Sequence, residues 1–129
     1  MNGNSNKAIA KITGVVQKGR GDGADFGFKT ANLTVPENEI KNLEGVYSAY
    51  VDVVGKTYKA AVSVGVSLTY EGRTKANVEA HILDFDGDIY GKTIDIYLIE
   101  FLRPMIKFYS SEELINTVKQ NIDYVRNSL

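Results

Sequence analysis

Apolar and polar residues alternate with a period of two along much of the chain. In the stretch GVYSAYVDVV, residues 45–54, most apolar positions fall on one face of an extended chain and the polar positions fall on the other. Such alternation is typical of a strand with one buried face. The pattern is interrupted at Gly55-Lys56, where a glycine at the first central position suits a type II′ turn. We therefore predict a hairpin with arms at residues 46–54 and 57–66.

Further segments have the β-branched and aromatic content of strands. They are residues 8–17, 77–85 and 93–102, together with a short strand from Asn32 to Val35. Six predicted strands with short, glycine-containing connections and no helix between them indicate an all-β fold. We expect a six-stranded antiparallel barrel, because closure leaves no exposed sheet edge.

The end of the chain changes to a helical period. Ser110 and Glu113 have the form of a capping box, and apolar residues then recur at three- and four-residue intervals. We predict one C-terminal amphipathic helix of about four turns, packed on the barrel. Residues 8–129 then form a single domain, preceded by a polar tail, residues 1–7, that we expect to be disordered.

The composition narrows the classes of function. Fifteen basic and sixteen acidic residues give a net charge of −1, so the chain as a whole has no attraction to nucleic acid or anionic lipid. The absence of cysteine and the single histidine exclude thiolate metal sites and any mechanism that needs two imidazoles from this chain. No segment has the apolar length of a signal peptide or membrane span. We expect a cytoplasmic monomer that binds neither membrane nor nucleic acid.

A glycine-rich stretch offers a local anion site. Gly14, Gly19 and Gly21 lie in or beside one predicted loop, in the sequence GVVQKGRGDGADFG. Glycines let backbone N–H groups approach a phosphate where a Cβ would collide. The spacing is not that of a Walker loop, and a flexible hairpin tip explains the glycines equally well.

The stretch FKTAN adds oxygen ligands. Thr30 and Asn32 are two residues apart, so on a strand they face the same side and can hold Mg²⁺ together with phosphate oxygens. On residue types alone, the simpler interpretation is preferred, in which both side chains satisfy nearby backbone groups.

A carboxylate follows in the segment NVEAHILDF. Glu79 alternates with apolar neighbours on a predicted strand and points either into the barrel mouth or to solvent. Beside a nucleotide it would be placed to accept the proton of a hydroxyl acceptor, although most strand carboxylates are simply solvated. His81 shares its face and is expected to support it or to be a satisfied buried histidine. Asp84, Asp86 and Asp88 indicate a turn rather than a calcium loop.

These motifs, taken in order, resemble those of the riboflavin kinase family. The resemblance covers nearly the whole chain from Gly14 and is carried by GFKTAN, VEAHILDF, IYG, LRPMIKF and SSEEL. It implies a Greek-key barrel with a terminal helix, and an enzyme that transfers the γ-phosphate of ATP to the 5′-hydroxyl of riboflavin. The products would be FMN and ADP, with Mg²⁺ required.

The same resemblance implies roles for individual residues. Glu79 matches the general base, while Thr30 and Asn32 match the residues that bind Mg²⁺ and phosphate. Positions that match the nucleotide site are Gly14, Gly19, Gly21, Lys29, Ile82, Asp84 and Tyr90. Arg103 and Phe108 match residues that contact the flavin. The mechanism further requires that barrel closure bring Glu79 close to Thr30 and Asn32.

The chain departs from the family pattern at several positions. Lys29 replaces a proline and Ala24 a basic residue, while Met105 and Ile106 stand where a charged pair is common. Leu68 also replaces a proline. These changes favour, as an alternative, a catalytically weakened barrel that binds flavin or nucleotide. A third class is a small barrel that binds single-stranded nucleic acid through its eight tyrosines and five phenylalanines, which the near-neutral charge opposes.

Overall fold

A computed structural model describes residues 8–17, 28–68, 74–105 and 109–129. The strands are β1 (Ala10–Gln17), β2 (Phe28–Val35), β3 (Gly45–Val53), β4 (Lys56–Leu68), β5 (Thr74–Leu83) and β6 (Thr93–Arg103). A short 3₁₀ turn (Glu37–Glu39) follows β2, and one α-helix, α1 (Ser111–Ser128), follows β6 among the described residues. The predicted disordered tail lies outside those residues.

The six strands form a closed antiparallel barrel in the order β1-β2-β5-β4-β3-β6. Strands β3, β4 and β5 follow one another as neighbours, and β6 then returns to lie beside β3, which is the Greek-key connection. The predicted all-β barrel with a C-terminal helix is confirmed. Its closure pairs both edges of the sheet, as the strand content required.

Apolar side chains fill the interior of the barrel. Strands contribute alternate residues to it, so every second position is almost fully buried. Representative members are Ile12, Leu33, Val51, Val62, Val78 and Ile96. Because the interior is a packed core, the polar chemistry of the strands lies on the outer surface and at the ends of the barrel.

The helix packs on the outside of the barrel. Ser110 caps it, since its Oγ accepts a hydrogen bond from the Glu113 backbone N–H at 3.1 Å, as the capping box predicted. Ile122 and Val125 are buried in a second apolar cluster with Ala61 and Leu83, which lie on the outer faces of β4 and β5. No helix among the described residues combines the length and apolar composition needed to cross a bilayer.

The structure corrects the turn of the predicted hairpin. Val53 pairs with Lys56, so the two turn residues are Val54 and Gly55 rather than Gly55 and Lys56. Their φ angles of 45° and 82° are both positive, which makes a type I′ turn and not the predicted type II′ turn. The type I′ twist matches that of the flanking strands, and this outweighs the cost of a β-branched residue at positive φ.

Several strand boundaries also differ from prediction, and two of these differences lie next to the predicted site residues. β2 begins at Phe28, four residues before the predicted start, so the whole stretch FKTAN is strand. β5 ends at Leu83, because Asp84 turns the chain with a φ of 57°. The first difference matters for function, since it places Thr30 and Asn32 on a regular, paired strand.

Candidate active site

The register of β2 against β5 brings the predicted site residues together. Thr30 pairs with His81, and Asn32 pairs with Glu79. Directly opposed residues of an antiparallel pair share one face of the sheet. The intervening Ala31 is buried in the barrel core, so the four paired side chains lie on the outer face. The strand pattern allowed Glu79 to point either into the barrel mouth or to solvent. The structure shows that Glu79 points outward.

Three of these side chains form a chain of polar contacts. Thr30 Oγ1 lies 3.4 Å from His81 Nδ1, and His81 Nε2 lies 3.2 Å from Glu79 Oε1. Thr30 and His81 are only 8% and 9% exposed, whereas 45% of the Glu79 side chain is exposed. The hydroxyl and the imidazole are therefore held within the protein surface, and the carboxylate reaches solvent.

Asn32, beside these three side chains, carries an amide group whose hydrogen-bonding capacity is not satisfied. Its Nδ2 is buried and has no hydrogen-bond partner among the described residues. A buried amide donor without a partner costs about 1–3 kcal/mol, so it marks a place where a ligand acceptor would be favourable. A phosphate oxygen has the required chemistry, and the amide oxygen at the other end of the group remains suited to a cation.

The donor set fits Mg²⁺ shared with phosphates. Thr30 and Asn32 offer neutral oxygens on the same face as the Glu79 carboxylate, and Mg²⁺ prefers oxygen ligands. In the part of the chain that the structure describes, no group of three acidic, histidine or cysteine side chains could hold a metal alone. In proteins, Mg²⁺ is usually held by one or two side chains together with substrate phosphates and water.

Lys29 and Tyr90 meet at one end of the barrel. The Lys29 Nζ lies over the Tyr90 ring, 4.6 Å from its centre. The turn that carries Tyr90 is fixed by its backbone N–H, which donates to Asp88 Oδ1, and by a hydrogen bond from the Gly91 N–H to the Val16 carbonyl. A cation therefore lies at the end of the barrel where the glycine-rich stretch connects β1 to β2. Gly19 and Gly21 themselves lie outside the described residues.

Three predicted nucleotide-site residues have evident structural partners. Gly14 is in β1, and a Cβ there would lie 2.7 Å from Leu33 Cδ2, so its lack of a side chain makes room in the core. The Ile82 side chain is fully buried inside the barrel. Asp84 accepts a hydrogen bond from Arg126 of α1 at 2.8 Å. Each of these three residues therefore has contacts within the protein that explain its position without reference to a ligand.

The predicted flavin residues lie at the junction between β6 and α1. The Arg103 guanidinium donates from Nε and Nη2 to Asn121 Oδ1 at 3.2 and 3.0 Å, and burial lowers the pKa of this arginine. Phe108 lies outside the described residues. Met105 extends over β4, where its Cε is 3.6 Å from the position of a Cβ added at Gly65. Gly65 pairs with Asn77, two residues before Glu79, so this segment approaches the same outer face.

A cavity of about 350 Å³ adjoins this junction. It lies between the end of β6 and α1 and is lined by Glu100, Phe101, Leu102, Asn121 and Tyr124. The Tyr124 hydroxyl donates to Glu100 Oε1 at 2.8 Å, and this hydrogen bond raises the pKa of the tyrosine. Sequence reasoning did not identify the cavity. Exposed aromatic residues such as Phe101 and Tyr124 were the available signal, but their proximity depends on how α1 docks.

The chain resembles known proteins over most of its length. The family model described as Flavokinase, riboflavin kinase, matches residues 7–129. The trifunctional protein RibF/MnmA of Mycoplasmoides gallisepticum is 38% identical over 110 residues, which are 85% of this chain and 17% of that protein. Human riboflavin kinase is 33% identical over 124 residues, covering 90% of this chain and 78% of the human protein. The RNA-binding riboflavin kinase RibR of Bacillus subtilis is 31% identical and is matched over 49% of its length.

Two solved structures are also similar to this chain. A crystal structure described as a macrolide-efflux protein from Streptococcus pneumoniae has a TM-score of 0.76 at 33% identity, covering 92% of this chain and 39% of that one. Riboflavin kinase from Trypanosoma brucei has a TM-score of 0.58 at 25% identity, covering 91% of this chain and 77% of the other. The chain thus spans well under two thirds of the length of several multifunctional relatives. It spans most of the length of the single-function kinases. With the family match over nearly all its residues, this chain belongs to the riboflavin kinase family.

Proposed function

We propose that the protein is a riboflavin kinase, which transfers the γ-phosphate of ATP to the 5′-hydroxyl of riboflavin and releases FMN and ADP. The observation that carries the proposal is the pairing of Asn32 with Glu79 on the outer face of the barrel. It places the proposed phosphate- and metal-binding group beside a half-exposed carboxylate, and these are the parts that phosphoryl transfer requires.

Glu79 acts as the general base in this proposal. Its carboxylate accepts the proton of the 5′-hydroxyl as that oxygen attacks the γ-phosphorus, so the proton leaves the nucleophile and ADP leaves the phosphoryl group. The contact from His81 Nε2 at 3.2 Å restricts the rotation of the carboxylate. No covalent enzyme intermediate is needed.

Thr30 and Asn32 hold the phosphate end of the substrate. Thr30 Oγ1 and the Asn32 amide oxygen would bind Mg²⁺, which, when bound, neutralises charge on the phosphate oxygens. The unmet Asn32 Nδ2 donor supports a direct contact with a phosphate oxygen. Lys29 at the end of the barrel adds a positive charge, and the backbone of Gly19 and Gly21 is proposed to enclose the nucleotide.

The flavin is proposed to lie near the segment that follows β6. Arg103 and Phe108 contact it in this proposal, and the ordered guanidinium of Arg103 supports a fixed polar contact. Met105 replaces a charged residue of the family pattern with a flexible apolar side chain. Its position over Gly65 supports an apolar contact close to the Glu79 face.

The direct test is incubation of the protein with riboflavin, ATP and Mg²⁺, followed by chromatographic separation of FMN. Formation of FMN that depends on both ATP and Mg²⁺ is expected. Flavin binding by calorimetry without FMN formation would instead favour the weakened barrel that the departures at Ala24, Met105 and Ile106 suggest.

The proposal includes no nucleic-acid partner. The relative RibR is named as an RNA-binding riboflavin kinase, so a gel shift with RNA tests this part of the proposal. Retention of RNA would contradict the expected lack of a nucleic-acid partner.

Replacing the base gives a sharper prediction. Glu79→Gln should lower kcat by about 10²–10⁴-fold, because the amide cannot accept the proton. Its similar shape and half-exposed position should leave thermal unfolding close to that of the parent protein. Asp95→Asn, which changes a carboxylate on β6 that accepts a hydrogen bond from Thr13, is the matched control and should retain activity. Unchanged turnover in Glu79→Gln would remove Glu79 from the mechanism.

A further inference from the structure

His81 lies between the two halves of the site. Its Nε2 is 3.2 Å from Glu79 Oε1, and its Nδ1 is 3.4 Å from Thr30 Oγ1. A carboxylate oxygen is only an acceptor, so the nitrogen that faces it must carry a hydrogen; a lone pair there would be repelled. In the neutral ring the other nitrogen, Nδ1, is then an acceptor.

The state of Nδ1 determines the orientation of the Thr30 hydroxyl. Because Nδ1 is an acceptor in this form, the Thr30 hydroxyl must donate its hydrogen to the ring. The lone pairs of Oγ1 are then directed away from His81. A hydroxyl without such a partner rotates freely and offers its hydrogen as readily as its lone pairs. The ring therefore presents the threonine oxygen as an acceptor or a cation ligand on the face that it shares with Asn32.

We propose that His81 is a positioning residue of the phosphoryl-transfer site, held in the Nε2–H form so that one ring fixes both the Glu79 carboxylate and the Thr30 hydroxyl. The inference rests on the proposed function for its catalytic meaning. It deepens that function by coupling the group that accepts the proton to the group that holds the phosphate end. In this proposal the ring contacts neither substrate and acts only by holding its two neighbours, Glu79 and Thr30.

The surroundings of the ring support a positioning role over a chemical one. Both ring nitrogens of His81 face protein groups, Glu79 Oε1 and Thr30 Oγ1, and these nitrogens are the two atoms through which the ring could act on a substrate. Ala61 faces His81 from β4, and its small side chain leaves room for the imidazole between the strands. Since Thr30 pairs with it from β2, the ring is held by neighbours on regular strands, which is the arrangement that fixes a rotamer best.

The form of the ring can be measured directly, because His81 is the single histidine of the chain. A long-range ¹H–¹⁵N correlation spectrum of the uniformly labelled protein contains one imidazole and needs no assignment. In the neutral ring, Nε2 is expected to have the pyrrole-type shift and Nδ1 the pyridine-type shift. A neutral ring with its hydrogen on Nδ1, or in rapid exchange between the two tautomers, would overturn the proposal.

Two substitutions separate the two contacts. His81→Gln carries its amide near the position of Nε2 and can still donate to Glu79, whereas His81→Asn carries its amide near Nδ1 and can still accept from Thr30. Loss of a hydrogen bond to a charged group should lower kcat in His81→Asn by roughly tenfold or more. In His81→Gln, kcat should fall less, and the affinity for Mg²⁺-ADP measured by calorimetry should fall about fivefold.

The readouts keep this inference distinct from the kinase proposal. If the parent protein forms no FMN, the kinase proposal fails, while the spectrum and the Mg²⁺-ADP titrations still test the positioning of Thr30 by His81. Equal losses of turnover and of affinity in both variants would mean that His81 only packs, and wild-type behaviour in both would mean that it has no role. Either result, in variants whose thermal unfolding shows that they are folded, contradicts the proposal.

Discussion

At the scale of single residues, two glycines on opposite sides of the barrel, in β1 and β4, have different reasons to be glycine. Gly14 faces the core, where an added Cβ would lie 2.7 Å from Leu33 Cδ2. Gly65 is on the outer face of β4, where an added Cβ would only touch the end of Met105 at 3.6 Å. The first contact is closer than folded proteins accept, and the second is an ordinary van der Waals distance.

Alanine at these two positions should therefore have different effects. Gly14→Ala should lower the free energy of unfolding by about 1–3 kcal/mol, because the core must shift to admit a methyl group. Gly65→Ala, the matched control, should change it by less than about 0.5 kcal/mol. Urea denaturation of both variants measures the difference. Equal stabilities would show that the core around Leu33 adjusts without cost.

Lys29 illustrates how one residue can depart from a family pattern without disturbing the strand. It is paired in β2 opposite Ile82, and unlike the proline of the family pattern it keeps a backbone N–H. Its ammonium group lies over Tyr90, a contact worth about 0.5–1 kcal/mol at an exposed site. The substitution thus exchanges a fixed φ angle for a positive charge at the barrel end.

At the scale of elements, the hairpin between β3 and β4 contains a residue that is poorly suited to its conformation. Val54 is 74% exposed and has a φ of 45°, where a β-branched side chain is crowded by its own backbone. Asparagine tolerates this conformation, and Asn-Gly is the preferred sequence for a type I′ turn.

Val54→Asn should therefore stabilise the protein. We expect the free energy of unfolding to rise by about 1 kcal/mol, since the exposed valine contributes little burial. Val15→Asn, at an exposed valine inside β1, is the control and should lower stability, because strands favour β-branched residues. Thermal and urea unfolding measure both changes. A loss of stability in Val54→Asn would contradict the turn geometry.

The pairing of β2 with β5 decides the site at the same scale. Side chains alternate between faces, so a shift of one residue in β2 would move Thr30 and Asn32 into the apolar interior, and the same shift in β5 would move Glu79 there. The buried alanines between them, Ala31 and Ala80, oppose such a shift because they fit the core and the polar residues do not. The hydrophobic pattern of the strands thus places the polar groups together on the outside.

At the scale of the whole molecule, the apolar residues form two clusters that the barrel wall separates. The larger cluster fills the barrel. The smaller one, around Ala61, Leu83, Ile122 and Val125, joins α1 to the outer wall. Polar contacts reinforce the smaller cluster: Arg126 binds Asp84, Lys59 Nζ donates to the Arg126 carbonyl, and Arg103 binds Asn121.

Truncation of a buried helix residue should show how much this second cluster contributes. Val125→Ala should lower the free energy of unfolding by about 2 kcal/mol, from the lost burial of two methyl groups and the cavity left behind. Leu114→Ala removes an exposed side chain from the same helix and should cost less than about 0.5 kcal/mol. Urea denaturation followed by circular dichroism tests both. Equal effects would mean that the C-terminal half of α1 is not anchored.

Particular residues show which features were predictable. Alternation in residues 46–54 and helical spacing after Ser110 correctly indicated strands, barrel and capped helix, because burial on one face leaves a local periodic record. The turn at Val54-Gly55 was misplaced by one residue, and the start of β2 by four. A single glycine fits either central position of a hairpin turn, and the polar stretch FKTAN lacks the apolar alternation that marks a strand.

The sequence by itself determined the class of fold, since that depends on residue types and their local spacing, and the resemblance of its motifs indicated the family and the candidate ligands and base. Only the tertiary structure decided that Asn32 faces Glu79, that His81 links Glu79 to Thr30, and that all four lie outside the barrel. These relations depend on the register between two strands whose paired residues lie more than forty positions apart along the chain. Register arises when the whole barrel buries its apolar faces at once, so no local pattern contains it.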